Sequence, residues 1–482
     1  MSVDRTIFEY SSAGRVGTNL PKPDVDAKPI EELLGAGNLR EDLPLPELSQ
    51  VDVIRHFTRL SIANYSVDRG FYPLGSCTMK YNPKINEEIA SQPGFADVHP
   101  YQDESLAQGT LQAMYEMQEF IKAITGFDAV TLQPAAGAHG ELTAMMIFKR
   151  HHEKTGQTQR HIVIVPDSSH GTNPATAATC GYDVVKVASG PDGLVDLDAL
   201  KVALTDEVAA VMLTNPNTLG LFEARIEDIS KMVHEAGALL YCDGANTNAI
   251  MGWYRPGDNG FDAMHVNLHK TFSTPHGGGG PGSGPVAVKK HLEPYLPVPN
   301  VGLADGKYYL EYNRPDSIGR VHGFYGNIAI VLRACAYVWS MGAKGLKEVS
   351  ENAVLNANYL LSKIGKVYDV PYGNRCMHEF VASASKQKEL GVKALDVAKR
   401  LIDMGYHPPT VYFPLIVHEA LMIEPTETES IETLDEFVEA MLTIAQEAET
   451  DPEIAQSAPH DTPVRRLDEA LAARQPVLRW QP

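Results

Sequence analysis

The sequence predicts an α/β fold: a mostly parallel β-sheet covered by helices, followed by a smaller C-terminal α+β domain. Three observations carry this. Short apolar runs alternate with helical stretches between residues 162 and 288, as strands joined by helical crossovers do. From about residue 345 the pattern changes to longer helical stretches framing short strands. The chain has 482 residues, 44% of them hydrophobic, enough for a large core and for two to three domains.

The elements follow in order. Residues 1–60 carry Pro21, Pro23, Pro29, Pro44 and Pro46 among many charges, and read as an extended N-terminal arm with a short helix or two. From Glu104 to Thr125, Leu106, Leu111, Met114, Met117, Phe120, Ile121 and Ile124 recur at helical spacing. Val130-Thr131-Leu132, Ile162 to Val165, Val184 to Val187, Val208 to Leu213, Ala238 to Cys242 and Val286 to Val288 read as strands. Ile226 to Ala236 reads as a helix between two of them. Together they make a large domain over 61–340. Helical Ala353 to Ile364, Ala394 to Met404 and Ser430 to Ala448 mark a small domain over 341–450. Residues 451–482, rich in Pro, Ala and charge, read as a tail.

Composition narrows the function. A formal charge of −20 without a basic patch argues against nucleic acid and anionic membranes as partners. No apolar run reaches membrane-spanning length, and Met1 to Ser12 lack a signal-peptide core. Cys77, Cys180, Cys242, Cys335 and Cys376 form no CxxC pair, so a disulfide framework or zinc ribbon is not indicated, and a reducing cytoplasm is the expected location.

In an open parallel sheet, ligands bind beyond the carboxyl ends of the strands, so residues just after each strand are the ones to inspect. Lys270 follows the apolar Val266-Asn267-Leu268 and precedes the glycine-rich Gly277 to Gly280. A lysine so placed suits a covalent aldimine with pyridoxal 5'-phosphate, because the amine is a nucleophile once it sheds its proton, and mobile glycine backbone passes close to a flat cofactor. A lone lysine at a strand end is more often a surface residue; its company argues otherwise. Asp243 follows the strand ending at Cys242, 27 residues before Lys270. A carboxylate there would keep the pyridine nitrogen protonated, although an aspartate after a strand is often only a helix cap. Ala136, Gly137 and Ala138 form a small-residue turn opening a helix, which suits a phosphate. His170, after the strand ending at Val165, is a candidate to stack on the ring. Thr214, ending another strand, is a candidate partner for the phenolic oxygen, or a turn residue.

Two patterns are set aside. Gly277 to Gly282 matches GxGxxG but is followed by a strand-like segment, so a dinucleotide fingerprint is not supported. His265, His269 and His276 would share a face only on a helix, and their flanks read as strand, so no metal is expected.

The stretches Pro73 to Lys80 (PLGSCTMK), Gln133 to Glu141, Ser169 to Pro174, Thr214 to Glu223, Asn267 to Pro285, Ser317 to Asn327, Cys376 to Phe380 and Glu424 to Glu427 resemble the glycine dehydrogenase (decarboxylating) family, the P-protein of the glycine cleavage system. The resemblance covers most of residues 60–430 and is to the cofactor-bearing half of a longer, two-half form. It implies a fold-type I pyridoxal-phosphate enzyme with Lys270 carrying the cofactor, Asp243 facing the ring nitrogen and His170 stacking on the ring. It implies decarboxylation of glycine, with the aminomethyl group passed to the lipoyl arm of a carrier, the H-protein. It also implies a separate first subunit, in a heterotetramer with two of each chain. The alternative within the fold is an amino-acid decarboxylase or a cysteine desulfurase. The latter needs a mobile cysteine, and Cys335 and Cys376 sit in helix-like and strand-like contexts. A non-catalytic binding subunit would be expected to have lost the Lys270, Asp243 and His170 set. Ser76, Cys77, Thr78 and His139 are candidate substrate-pocket residues. His139 and His269 are candidates for proton transfer or sulfur positioning, His269 also for cofactor binding. Arg314 and Arg320 are candidates for the glycine carboxylate.

Overall fold

The structure, a computed structural model, describes residues 5–40, 43–277 and 282–479. It separates into two compact units, one of Met1–Arg69 with Ala458–Pro482 and one of Gly70–Ser457.

The larger unit is built on a seven-stranded sheet. Its strands are β1 (Ala129–Thr131), β2 (Ile162–Pro166), β3 (Asp183–Val187), β4 (Val208–Thr214), β5 (Leu239–Gly244), β6 (Ala263–Val266) and β7 (Val286–Val288), in the order β1-β7-β6-β5-β4-β2-β3. The pairs β2–β3, β2–β4, β4–β5 and β5–β6 are parallel, whereas β7 runs antiparallel to both β6 and β1. Every residue of β5 is buried, as expected of a central strand with helices on both faces. Helices cover it because their apolar stripes match their turns. In Ile226–Glu235, Ile226, Ile229 and Val233 are buried, Glu227 and Asp228 favour the positive N-terminus, and Gly237, at φ 74, lies just beyond the end.

The helix expected from Glu104 begins instead at Gln108, and Leu106 is exposed. The physical reason is competition: Asp103 Oδ1 accepts the Ser105 N–H, and Glu104 Oε1 accepts the N–H of Leu310, so both carboxylates serve other elements. Leu310 belongs to a two-stranded hairpin, β8 (Asn300–Ala304) with β9 (Lys307–Glu311).

The long helix Ile328–Ile364 runs through the boundary expected between residues 340 and 341, with a local break at Gly342, where φ is 59. Its C-terminal half packs with Ala394–Asp403 and Ile431–Thr450 on a three-stranded antiparallel sheet of β10 (Phe380–Ser383), β11 (Thr410–Val411) and β12 (Ala420–Ile423). Phe71, Phe380, Leu421, Ile423 and Phe437 lie in that core. Cys376, expected in a strand, is in irregular chain before β10, where its N–H is held by Asn358.

In the smaller unit, Ser49 and Asp52 form a capping box for the helix Gln50–Ala63, and Tyr10 packs edge-on against His56. No described helix is long and apolar enough to cross a membrane.

Candidate active site

The parallel register sets three side chains in a row across the sheet. Thr214 on β4 pairs with Asp243 on β5, which pairs with His265 on β6. Beyond these strand ends lies a cavity of about 170 Å³. It brings together Lys270, Asp243, His170, Gly137, Ala138, Thr214, His269 and Ser76, all sequence candidates. Four other candidates, Ala136, Cys77, Thr78 and His139, do not line it among the described residues. Ala136 is the N-cap of the helix Gly137–Lys154. His139 turns back on its own turn, its Nδ1 accepting the Ala135 N–H at 3.1 Å. Thr78 is directed to Glu424. The Cys77 thiol is pushed up to about 11 by burial, so it is not poised as a thiolate.

Asp243 is 3% exposed. Its Oδ2 accepts from Asn173 Nδ2 at 3.0 Å and its Oδ1 from the Ala245 N–H at 3.0 Å. Burial raises its pKa, but His265 and these hydrogen bonds outweigh burial and hold the carboxyl below its ordinary range. Behind it, burial keeps the Tyr241 phenol protonated, its hydroxyl hydrogen-bonded with His265 Nδ1 at 2.5 Å, and His265 Nε2 faces Asp243 Oδ1 at 3.5 Å. Asp243 is thus a fixed buried carboxylate at the floor of the cavity. The helix-cap alternative is not what the structure shows, since Asp243 lies within β5.

Lys270 sits in the short helix Leu268–Thr271 directly after β6, and its Nζ donates to the Ser76 carbonyl at 2.7 Å. His269 accepts the Ser283 N–H through Nδ1, and burial drives its pKa down to about 3, so it is a neutral imidazole. His170 Nδ1 lies 2.8 Å from Thr172 Oγ1, and its ring packs edge-on against Phe413.

The cavity fits pyridoxal phosphate on the structure's own terms. The helix Gly137–Lys154 has no side-chain cap, and the N–H groups of a first turn have no partner within the helix. A Cβ on Gly137 would lie 2.5 Å from Asn267 Oδ1, so only glycine leaves that approach open. Thr214 Oγ1 and Asn246 Oδ1 are buried without a hydrogen-bond partner, which a polar ligand would supply.

Sequence reasoning assigned no role to several residues here. Glu141 lines the cavity and accepts from Thr172 Oγ1, while burial and the Asp243 charge raise its pKa to about 7. Asn246, Asn267 and His265 also line it. Arg314 is committed elsewhere, to Glu311 and the Glu293 carbonyl, and Arg320 lies over Tyr101 and Tyr312. No arginine is among the described residues lining the cavity. Part of the glycine turn, residues 278–281, lies outside the described residues. Of the expected desulfurase candidates, Cys335 is buried in a helix and the Cys376 thiol is pushed up to about 12 by burial, which suits neither for nucleophilic sulfur chemistry.

A parallel sheet with a lysine, an aspartate and a helix N-terminus converging at its carboxyl edge defines the class: the chain has the fold of the fold-type I pyridoxal-phosphate enzymes. Solved structures agree on the fold. The crystal structure of a glycine decarboxylase (P-protein) of the glycine cleavage system, in inhibitor-bound form, matches with TM-score 0.73 and 22% identity over 86% of this chain and 93% of that one. A Lactobacillus brevis glutamate decarboxylase matches with TM-score 0.65 and 14% identity, over 88% and 98%. The model of the glycine cleavage system P-protein matches residues 34–311, and that of the glycine dehydrogenase C-terminal domain matches 349–466. Two relatives described as probable glycine dehydrogenase (decarboxylating) subunit 2 are similar over nearly their whole length. The one from Caldanaerobacter subterraneus is 61% identical, and the one from Halalkalibacterium halodurans 60%, each over 98% of both chains. The chain belongs to the glycine cleavage system P-protein family, in its glycine dehydrogenase (decarboxylating) subunit 2 branch.

Proposed function

We propose that this chain is the pyridoxal-phosphate-bearing subunit of a glycine dehydrogenase (decarboxylating), removing carbon dioxide from glycine and passing the aminomethyl group to the lipoyl arm of a carrier protein. The observation that carries the reading is the convergence of Lys270, Asp243 and the Gly137 helix N-terminus on one cavity in a chain of this family.

When bound, the cofactor supplies an electron sink for the pair left on the α-carbon as the carboxylate departs. The protein's part is orientation and proton control. Gly137 and Ala138, at the helix N-terminus, are suited to the phosphate. The Asp243 carboxylate, held ionised, is suited to keep a proton on the ring nitrogen. Thr214 Oγ1 is free to donate to the phenolic oxygen, and the His170 ring to cover one face. Lys270 Nζ is the amine that would carry the cofactor and, when not so attached, the cavity amine that would hold or move a proton at the reacting carbon. In the transfer, the glycine α-carbon forms a C–S bond with one lipoyl sulfur as the S–S bond breaks, and the second sulfur leaves as a thiol after taking a proton. His269, neutral and beside Lys270, is a candidate to position that sulfur, not to supply the proton.

The subunit 2 description of the relatives supports a separate first subunit. Two of each chain, a lipoylated H-protein as acceptor and a cytoplasmic location complete the reading. The test is exchange of labelled bicarbonate into the glycine carboxyl with this chain, the first subunit and the lipoylated carrier. Exchange requiring all components and lost in Lys270→Ala is expected. An enzyme that binds pyridoxal phosphate but catalyses no exchange, with its absorbance untouched by glycine, would refute the glycine assignment.

A further inference from the structure

The loop that accepts Lys270 Nζ is held by an unusual pair of groups. Glu379 immediately precedes β10 and Glu424 immediately follows β12, and the antiparallel register Phe380↔Ile423 sets them side by side. Glu379 is 0% exposed and Glu424 1%. Glu379 Oε2 accepts the Ser76 N–H at 2.6 Å and its Oε1 the Ser76 hydroxyl at 3.2 Å. Glu424 Oε2 accepts the Thr78 N–H at 2.8 Å and its Oε1 the Thr78 hydroxyl at 2.5 Å. All four carboxylate oxygens therefore grip one three-residue loop.

That loop is under backbone strain. Ser76 has φ 59 and Thr78 φ 49, left-handed conformations that a β-branched threonine in particular disfavours. It is also tacked to the edge of the three-stranded sheet: Leu74 bridges to Ile423, and Thr410 Oγ1 donates to the Gly75 carbonyl. A Cβ on Gly75 would lie 2.2 Å from Met422 Cγ. A loop kept in disfavoured conformations by two buried carboxyl groups needs a use, and the Ser76 carbonyl against Lys270 Nζ provides one.

We infer that Glu379 and Glu424 are positioning residues for Lys270, clamping the strained Ser76–Thr78 loop so that the Ser76 carbonyl holds the Lys270 amine in place when it is not bound to the cofactor. The inference rests on Lys270 being the cofactor-bearing amine. Two buried carboxyl groups near the Lys270 amine make chemical sense. Burial raises both pKa values, and the Glu424 charge raises Glu379 further, so the pair gains from a nearby cation. Lys270 is the cation whose charge lowers both. His378, wholly buried beside them with neither ring nitrogen hydrogen-bonded, is driven to about 3 by burial and stays neutral, so it supplies no charge. The clamp also makes the three-stranded sheet part of the machinery at the edge of the seven-stranded one.

The test is competitive amine labelling of the cofactor-free full-length protein with trace acetic anhydride, read by peptide mass spectrometry, in wild type, Glu379→Gln and Glu424→Gln. An amide in place of either carboxylate cannot accept at both atoms. Lys270 labelling is expected to rise about three- to ten-fold, as the loss of one hydrogen bond supports, while the exposed Lys344 is unchanged. With cofactor, partner subunit and carrier present, kcat should fall while KM for glycine moves less than about two-fold, because the amine and not the substrate site is disturbed. Thr78→Val, which removes only one hydroxyl donor to Glu424, guards against misfolding of the glutamine variants and is expected to give a smaller rise. Lys270 labelling equal to wild type in all three variants would overturn the clamp. So would one equivalent of divalent metal in the wild-type protein that Glu424→Gln abolishes, since His378, Glu379 and Glu424 would then be metal ligands. Borohydride reduction of the cofactor-loaded wild type that fails to tag Lys270 would instead refute the cofactor reading, which the cofactor-free labelling does not use.

Discussion

Gly140→Ala tests the phosphate cradle through packing alone. Gly140 lies in the first turns of the helix Gly137–Lys154, where a Cβ would fall 2.7 Å from the Gly284 carbonyl and 2.8 Å from His265 Cβ. Neither neighbour is the loose end of a side chain. One is backbone and the other is anchored on β6 beside Asp243. Restoring ordinary contact requires the helix to retreat by about 0.7 Å, because repulsion at this range is steep. Alanine in a helix gains about 1 kcal/mol over glycine, whereas overpacking a tight site costs about 1–3 kcal/mol. The clash therefore matches or exceeds the propensity gain, and its effect falls on the helix end that carries Gly137 and Ala138. Spectroscopic titration should show pyridoxal phosphate affinity reduced about ten-fold, equivalent to about 1.4 kcal/mol. Gly109→Ala is the control, since nothing lies within 4 Å of its Cβ, and it should bind the cofactor like wild type. Undiminished affinity in Gly140→Ala would show that the helix N-terminus does not hold the phosphate as argued.

Other expectations follow from buried charge. Lys80 forms a 2.6 Å ion pair with Glu427, their side chains 1% and 8% exposed, and also contacts the Tyr337 hydroxyl and the Thr271 carbonyl. Lys80→Met strands the Glu427 charge and should destabilise the fold by about 3–5 kcal/mol, with Lys80→Met/Glu427→Gln recovering part; equal stability of the single and double variants in urea denaturation would contradict this. Glu141 has its pKa raised from 4.5 to about 7 by burial first and Asp243 second. A carboxyl with a raised folded-state pKa destabilises the native state progressively as pH rises from the unfolded value to the folded one. Wild type should therefore lose stability relative to Glu141→Gln between pH 4.5 and about 7, with a constant difference above that; parallel stability–pH curves would exclude the buried, proton-binding Glu141. Asp243→Asn should retain the fold, because an amide fills the same space, and lose most of the exchange activity; activity near that of wild type would remove Asp243 from the ring-nitrogen role.

The sequence by itself determined the sheet, because a central parallel strand must be apolar on both faces and a covering helix on one. Val208 to Leu213 and Ile226 to Ala236 display those two patterns, and the structure reproduces both to within a residue or two. It likewise determined which strand ends matter, since Lys270, His170 and the Gly137 turn follow strands and Asp243 lies within one, at its carboxyl end, and the sheet brings them to one cavity. What it did not display were groups whose meaning depends on long-range neighbours. Glu379 and Glu424 stand more than three hundred residues from the loop they hold, and no local period links them to Ser76 or Thr78. Glu141 reads as an ordinary helix acid until Asp243 is packed beside it. His139 reads as a pocket residue until its ring is seen to bond its own turn. Local pattern reports which face of an element is buried. Only the tertiary structure decides which buried polar groups meet, and here those meetings set the charges around Lys270.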